Sequence, residues 1–135
     1  MATIMVVDDA AYARGMCTKT LTQVGYQVVE AASGEEAIAK YKMARVDAVL
    51  LDITMPDMDG VQTLRELIEF DADARVAMCT AMDQQSIIIE CLKAGAKDFL
   101  AKPFSSAQVV DMVEKMLGQA SRLEERHPSE PRERQ

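Results

Sequence analysis

The sequence predicts an α/β protein: a single doubly wound, five-stranded parallel sheet with five helices. Five short β-rich runs alternate with five helical patterns along the chain. Most of the β-rich runs are nearly continuous apolar stretches, as strands are when both sheet faces are covered. A repeated β-α order also demands crossovers, which place parallel strands in one sheet with helices on both sides.

The first predicted strand is Ile4–Val7. The helix after it carries Ala13, Cys17, Leu21 and Val24 at helical spacing, and Gly25 follows as a left-handed cap. The second strand is Tyr26–Val29. Ser33 with Glu36 is a capping-box pair opening a helix that carries Ala37, Ile38 and Tyr41. The third strand, Ala48–Leu51, leads to a helix that begins near Gly60 and carries Leu64, Leu67 and Ile68. The fourth, Val76–Cys79, precedes a helix with Ile87, Ile88, Cys91 and Leu92, closed by Gly95. The last, Phe99–Ala101, precedes a helix opened by Ser105 and Gln108. That helix carries Val109, Met112, Val113 and Met116 on one face, with Gly118 after it. Residues 1–118 are expected to form one domain. The tail, 119–135, balances Arg122, Arg126, Arg132 and Arg134 against Glu124, Glu125, Glu130 and Glu133, with Pro128 and Pro131 among them. It is expected to be partly disordered or the stub of a linker.

Composition narrows the function classes. The chain has 135 residues, 49% hydrophobic and 27% charged, which is a soluble globular balance. A net charge of -7 disfavours direct nucleic-acid binding, because a phosphate backbone repels such a surface. No apolar run approaches the ~20 residues that cross a bilayer, and no signal peptide opens the chain, so a cytoplasmic location is expected. Cys17, Cys79 and Cys91 have no ligand-like spacing and are expected to be reduced thiols in apolar surroundings. The only histidine, His127, falls in the polar tail, where a solvated role is expected.

In a parallel α/β sheet, ligands bind beyond the carboxyl ends of the strands. Asp8 and Asp9 follow the first strand, Asp52 the third, Thr80 the fourth and Lys102 the fifth. With those strands adjacent, three carboxylates, a hydroxyl and an ammonium converge. Like charges so close raise one another's pKa or require a cation. Mg2+ suits this set, since it accepts a few carboxylates and leaves positions for water and phosphate. A carboxylate beside it can attack phosphorus and form an acyl phosphate. Asp52, alone on its strand, suits the nucleophile; Asp8 and Asp9 suit metal holding. Lys102 can offset charge on the phosphoryl oxygens, and Thr80 can donate a hydrogen bond to one of them. Each residue alone has a plainer reading: Asp9 as a helix cap, Lys102 as a surface lysine. Asp57 and Asp59 lie beyond Pro56 and are expected to shape the turn before the third helix.

The motifs "VVDDA", "LLDITMPDMDG", "CTA" and "GAKDFLAKPF", with their spacing, resemble those of two-component response-regulator receiver domains. The resemblance covers roughly residues 2–118. It implies a flavodoxin-like sheet of strand order 2-1-3-4-5 and a phosphoryl group on Asp52. It also implies Mg2+ held by Asp8, Asp9, Asp52 and the backbone carbonyl of Thr54, with Thr80 and Lys102 on the phosphoryl group. The Lys102–Pro103 bond would be cis. Phe99 takes the aromatic switch position, usually Tyr, and Thr54 and Met82 the positions that tune hydrolysis. Neither carries a carboxylate or amide to orient water, so slow self-dephosphorylation is expected.

Such a protein catalyses its own phosphorylation and dephosphorylation without being an enzyme in the usual sense. The donor would be a sensor histidine kinase. The output would be a changed surface from about residue 83 to Gly118, where one or two of Ile87, Ile88 and Ile89 are left exposed. The partner would be a flagellar motor switch or a phosphatase, since the phrases resemble stand-alone chemotaxis receivers most. The alternatives are a phosphorelay intermediate and a receiver cut from a larger regulator. A flavin- or nucleotide-binding module would need a glycine-rich loop after the first strand, where acids stand instead.

Overall fold

The apolar runs become strands β1 (Thr3–Val7), β2 (Gln27–Ala31), β3 (Ala48–Asp52), β4 (Val76–Thr80) and β5 (Asp98–Ala101). Between and after them lie α1 (Ala11–Gln23), α2 (Gly34–Met43), α3 (Gly60–Phe70), α4 (Gln85–Ala94) and α5 (Ser106–Met116). The computed structural model describes residues 2–53, 60–81 and 85–118, with the Gln85 side chain excepted. Thr54, Met82, Asp57, Asp59, Asp83 and the tail with His127 therefore lie outside the described residues. All strand pairs are parallel, in the order β2-β1-β3-β4-β5, as expected. From β1 the chain winds outward to β2, then crosses to β3 and winds the other way. The switch point falls between β1 and β3.

Successive strand residues point to opposite faces. Met5, Val7, Val49, Leu51, Val76 and Met78 pack on one side against Ala37, Tyr41, Leu64, Leu67, Ile88 and Cys91. Ile4, Val6, Ala48, Leu50, Ala77 and Cys79 pack on the other against Leu21, Val109, Met112, Val113 and Met116. Every residue of β3 and β4 is buried, which explains their unbroken apolar sequence. Truncating one of these buried leucines would cost about 2–5 kcal/mol.

β2, β3 and β4 run further toward their carboxyl ends than expected, while β1 and β5 each begin one residue earlier. Asp52 and Thr80 are the last residues of β3 and β4 rather than the residues beyond them. Tyr26 does not open β2; its N–H donates to the Leu21 carbonyl and so closes α1. β2 instead runs on through Glu30 and Ala31, paired with Val6 and Val7. A charge fits there because β2 is an edge strand, and its burial is partial.

Helix ends follow the predicted chemistry with two differences. Ser105 and Gln108 form the full capping box. Ser33 Oγ accepts from the Glu36 N–H at 3.1 Å, but the Glu36 carboxylate reaches past Ser33 to the Ala32 N–H at 2.7 Å. The α1 stripe is thinner than its spacing suggests. Leu21 is buried, but Val24 sits at the C-cap and leaves the stripe. Asp9 does not cap α1; the cap position is Ala10, without a side-chain bond. Cys79 and Cys91 are buried and Cys17 is half-buried, all three outside any disulfide. Burial holds Cys79 and Cys17 above their ordinary pKa, which keeps them as unreactive thiols.

Gly60 returns the chain to the end of β3. Its N–H donates to the Ile53 carbonyl at 2.6 Å. A Cβ at this position would press on the Asp52 carbonyl and lie 2.6 Å from Ile53 Cα. Gly15, by contrast, is an exposed mid-helix residue with open space around it. Gly60→Ala is expected to lower stability by about 1–3 kcal/mol, the usual cost of overpacking. Gly15→Ala is expected to raise it by about 0.5–1 kcal/mol. Urea midpoints of the two variants check both signs; an unchanged Gly60→Ala midpoint contradicts the close approach.

Candidate functional site

The strand register builds the site. Val7 pairs with Leu51, so Asp8 and Asp52 follow side by side at the switch point. Asp52 pairs with Cys79, and Thr80 with Ala101, which brings Thr80 and Lys102 to the same rim. Lys102 N–H donates to the Thr80 carbonyl at 2.7 Å, tying β5 to β4 at this end. The Lys102–Pro103 peptide is cis, as the resemblance implies.

Asp8 and Asp52 are buried and Asp9 is exposed, and one carboxylate oxygen from each lies within 4.8 Å of the others. Asp8 is held on several sides. Its N–H donates to the Ala31 carbonyl at 3.1 Å, and its Oδ1 accepts from the Ala10 N–H at 2.9 Å. Lys102 Nζ stands 3.2 Å from Asp52 Oδ1 and 3.6 Å from Asp8 Oδ2. Burial acts to lower the Lys102 pKa, but the Asp52 and Asp8 carboxylates outweigh it and hold the ammonium above its ordinary value. The lysine therefore stays charged at any working pH.

Among the described residues, Lys102 is the cation in ion-pair range of Asp8 and Asp52. Hard carboxylate oxygens, two buried and one open to water, are the donor set that suits Mg2+ with some of its own waters retained. The Thr80 hydroxyl donates to the Ala81 carbonyl at 3.0 Å. Behind it a largely apolar cavity of about 320 Å³ is lined by Thr80, Ala81, Ile88, Ile89, Leu92, Phe99 and Ala101. Phe99 is 39% exposed at its edge, and Ile89 is 56% exposed; Ile88 is buried, so the isoleucine run splits between core and surface as expected.

The structure thus brings Asp8, Asp9, Asp52, Thr80 and Lys102 to one rim, with Phe99 beside Thr80. The Thr54 carbonyl and the Met82 side chain lie outside the described residues. One residue with a place at this rim left no mark in the sequence. Arg14, on α1, donates to the backbone carbonyl of Asp8 at 2.7 Å. An arginine in the first turns of a polar helix reads as solvated, and its acceptor is a main-chain atom that no residue type announces.

Residues 4–114 match the family profile described as the response regulator receiver domain. The chain belongs to this family. It is similar to chemotaxis proteins of the CheY type. It is 45% identical to the chemotaxis protein CheY of Thermotoga maritima over 114 residues, covering 84% of this chain and 95% of that one. It is 48% identical to CheY of Bacillus subtilis over 115 residues, covering 84% and 96%. Among solved structures it resembles the CheX–CheY–BeF3–Mg2+ complex of Borrelia burgdorferi, with a TM-score of 0.80 and 39% identity over 84% of this chain and 87% of that one. Receivers are phosphorylation-dependent switches that bind Mg2+ at an acidic pocket, and in this receiver the acidic pocket is the Asp8, Asp9 and Asp52 cluster. Among the described residues no helix is long and apolar enough to cross a membrane.

Lys102 is the cation that these carboxylates already hold. Lys102→Met is therefore expected to lower stability in a chelator and to tighten Mg2+ binding, each by up to about 1 kcal/mol, or roughly fivefold in affinity. Thermal unfolding with chelator and with saturating Mg2+ checks this. A smaller Mg2+-induced rise in the variant than in the parent contradicts it.

Proposed function

We propose that this receiver takes a phosphoryl group from a sensor histidine kinase onto Asp52 and hands the change to a protein of the chemotaxis machinery in the cytoplasm. Residues 1–118 form the phosphoacceptor unit in this reading. The observation that supports it most is the place of Asp52. It ends the fully buried central strand β3, 3.2 Å from Lys102 and within the three-acid cluster.

Asp8, Asp9 and Asp52 would hold Mg2+, with the Thr54 carbonyl as the fourth ligand that the family resemblance implies, and the ion would supply positive charge for phosphoryl transfer. An Asp52 oxygen attacks phosphorus; the P–N bond of the phosphohistidine breaks, and the imidazole leaves with the electron pair and takes up a proton. Lys102 exchanges its Asp52 contact for a phosphoryl oxygen and holds developing charge there. In hydrolysis, water adds to phosphorus, the P–O bond to Asp52 breaks, and the carboxylate returns with release of inorganic phosphate. The rigid strand end holds the nucleophile in line throughout.

The new group carries about -1.5 to -2 charge. The Thr80 hydroxyl has a single proton, so donating to a phosphoryl oxygen means leaving the Ala81 carbonyl. An apolar cavity of about 150 Å³ already admits benzene, so the space of about 320 Å³ behind Thr80 has room for the Phe99 ring. Thr80 and Phe99 then move together as a two-state element, and the surface of β4, α4, β5 and α5 changes with them. The likeness to CheY proteins over nearly their whole length supports a flagellar motor switch or a phosphatase as the partner.

With labelled acetyl phosphate and Mg2+, the parent chain is expected to take up label and Asp52→Asn to stay at background. Full labelling of Asp52→Asn contradicts the assignment. Thr80→Ala is expected to take up label but to bind its partner equally with and without beryllofluoride. With Thr54 and Met82 at the hydrolysis-tuning positions, the acyl phosphate is expected to last minutes or longer, measured as label decay; loss within seconds contradicts that role.

A further inference from the structure

Arg14 stands outside the rim acids yet is wired to one of them. Its Nη1 donates to the Asp8 carbonyl at 2.7 Å. Its Nε donates to Glu30 Oε1 at 2.9 Å, and the other oxygen of that carboxylate accepts from the Thr18 hydroxyl at 2.9 Å. Arg14 and Thr18 are one turn apart on α1, so they meet the β2 carboxylate together. The Arg14 side chain is 18% exposed. A planar guanidinium can bridge a carboxylate and a carbonyl in fixed directions, which a lysine ammonium cannot.

The Asp8 carbonyl and the Asp9 N–H share one rigid peptide plane. Asp8 is anchored on its other side by the Ala31 carbonyl and the Ala10 N–H. Asp9 is exposed, so its place against Asp8 and Asp52 depends on how that plane is turned. We infer that Arg14 is a positioning residue: locked by Glu30 and Thr18, it fixes the Asp8–Asp9 peptide plane and thereby the spacing of two acids that hold the cation. The inference rests on the cation site proposed above.

Charge and geometry predict opposite signs, which makes the test sharp. Removing a positive charge beside an acidic site would by itself tighten cation binding. Loss of orientation loosens it, on the order of tenfold for a residue that supports a metal ligand. Mn2+, another hard dication for oxygen sites, serves as the probe, with the free ion followed by EPR in titrations of the full chain. Arg14→Met is expected to weaken Mn2+ binding about tenfold and to shift the Asp9 amide resonance. Thr18→Val, which changes no charge, is expected to weaken binding less but in the same direction. Parent-like or tighter binding by Arg14→Met overturns the inference. If that variant does not fold, parent-like affinity in Thr18→Val overturns it instead. Asp9→Ala separates the two levels: parent binding that survives this change overturns the cation site and the inference with it.

Discussion

Three carboxylates held against one another at the end of a sheet are the constraint on which this protein depends. Left alone they would repel or take up protons. The fold holds them through backbone pairing. The register of β1 on β3 sets Asp8 beside Asp52, and that of β4 on β5 brings Lys102 across to both. The repulsion is partly offset by one ammonium and left open to a dication. Such a rim is stable enough to form, and its oxygen donors suit a hard divalent cation.

The rest of the molecule divides around that rim. The two apolar layers are continuous through β3 and β4, so the strand ends that carry Asp52 and Thr80 cannot shift without disturbing both cores. Packing this dense behaves as bistable rather than deformable. Packing is thinner at one edge. The cavity beside Thr80, with the half-exposed Phe99 and Ile89 on it, lies at the β5 edge, next to the acidic rim and at the margin of one core. A rigid centre with one soft edge turns a local charge into a change of surface.

Much of this was legible from residue types alone. The unbroken apolar runs gave the parallel sheet. The acids, the threonine and the lysine stood out because each ends or follows an apolar run, where a polar side chain breaks the pattern. Gly25, Gly95 and Gly118 read as helix ends, and all three have positive φ. What stayed hidden acts through the main chain or through register. Tyr26 reads as a strand residue, but its N–H closes a helix. Glu30 falls one residue past the strand expected over Tyr26–Val29, yet it pairs with Val6 and there meets Arg14 and Thr18 of α1. Arg14 acts on a carbonyl, which every residue has. The cavity that Phe99 lines is an empty space, and a sequence does not spell out space.

The central claim is that Asp52 carries the phosphoryl group. Borohydride reduces an acyl phosphate to an alcohol and so converts the modified aspartate to homoserine. Reduction after incubation with a phosphoryl donor and Mg2+, followed by peptide mass spectrometry, locates the group directly. The account predicts homoserine at position 52 and unmodified aspartate at positions 8 and 9. Homoserine at either of those positions, or at none of the three under conditions where label is retained, would contradict it.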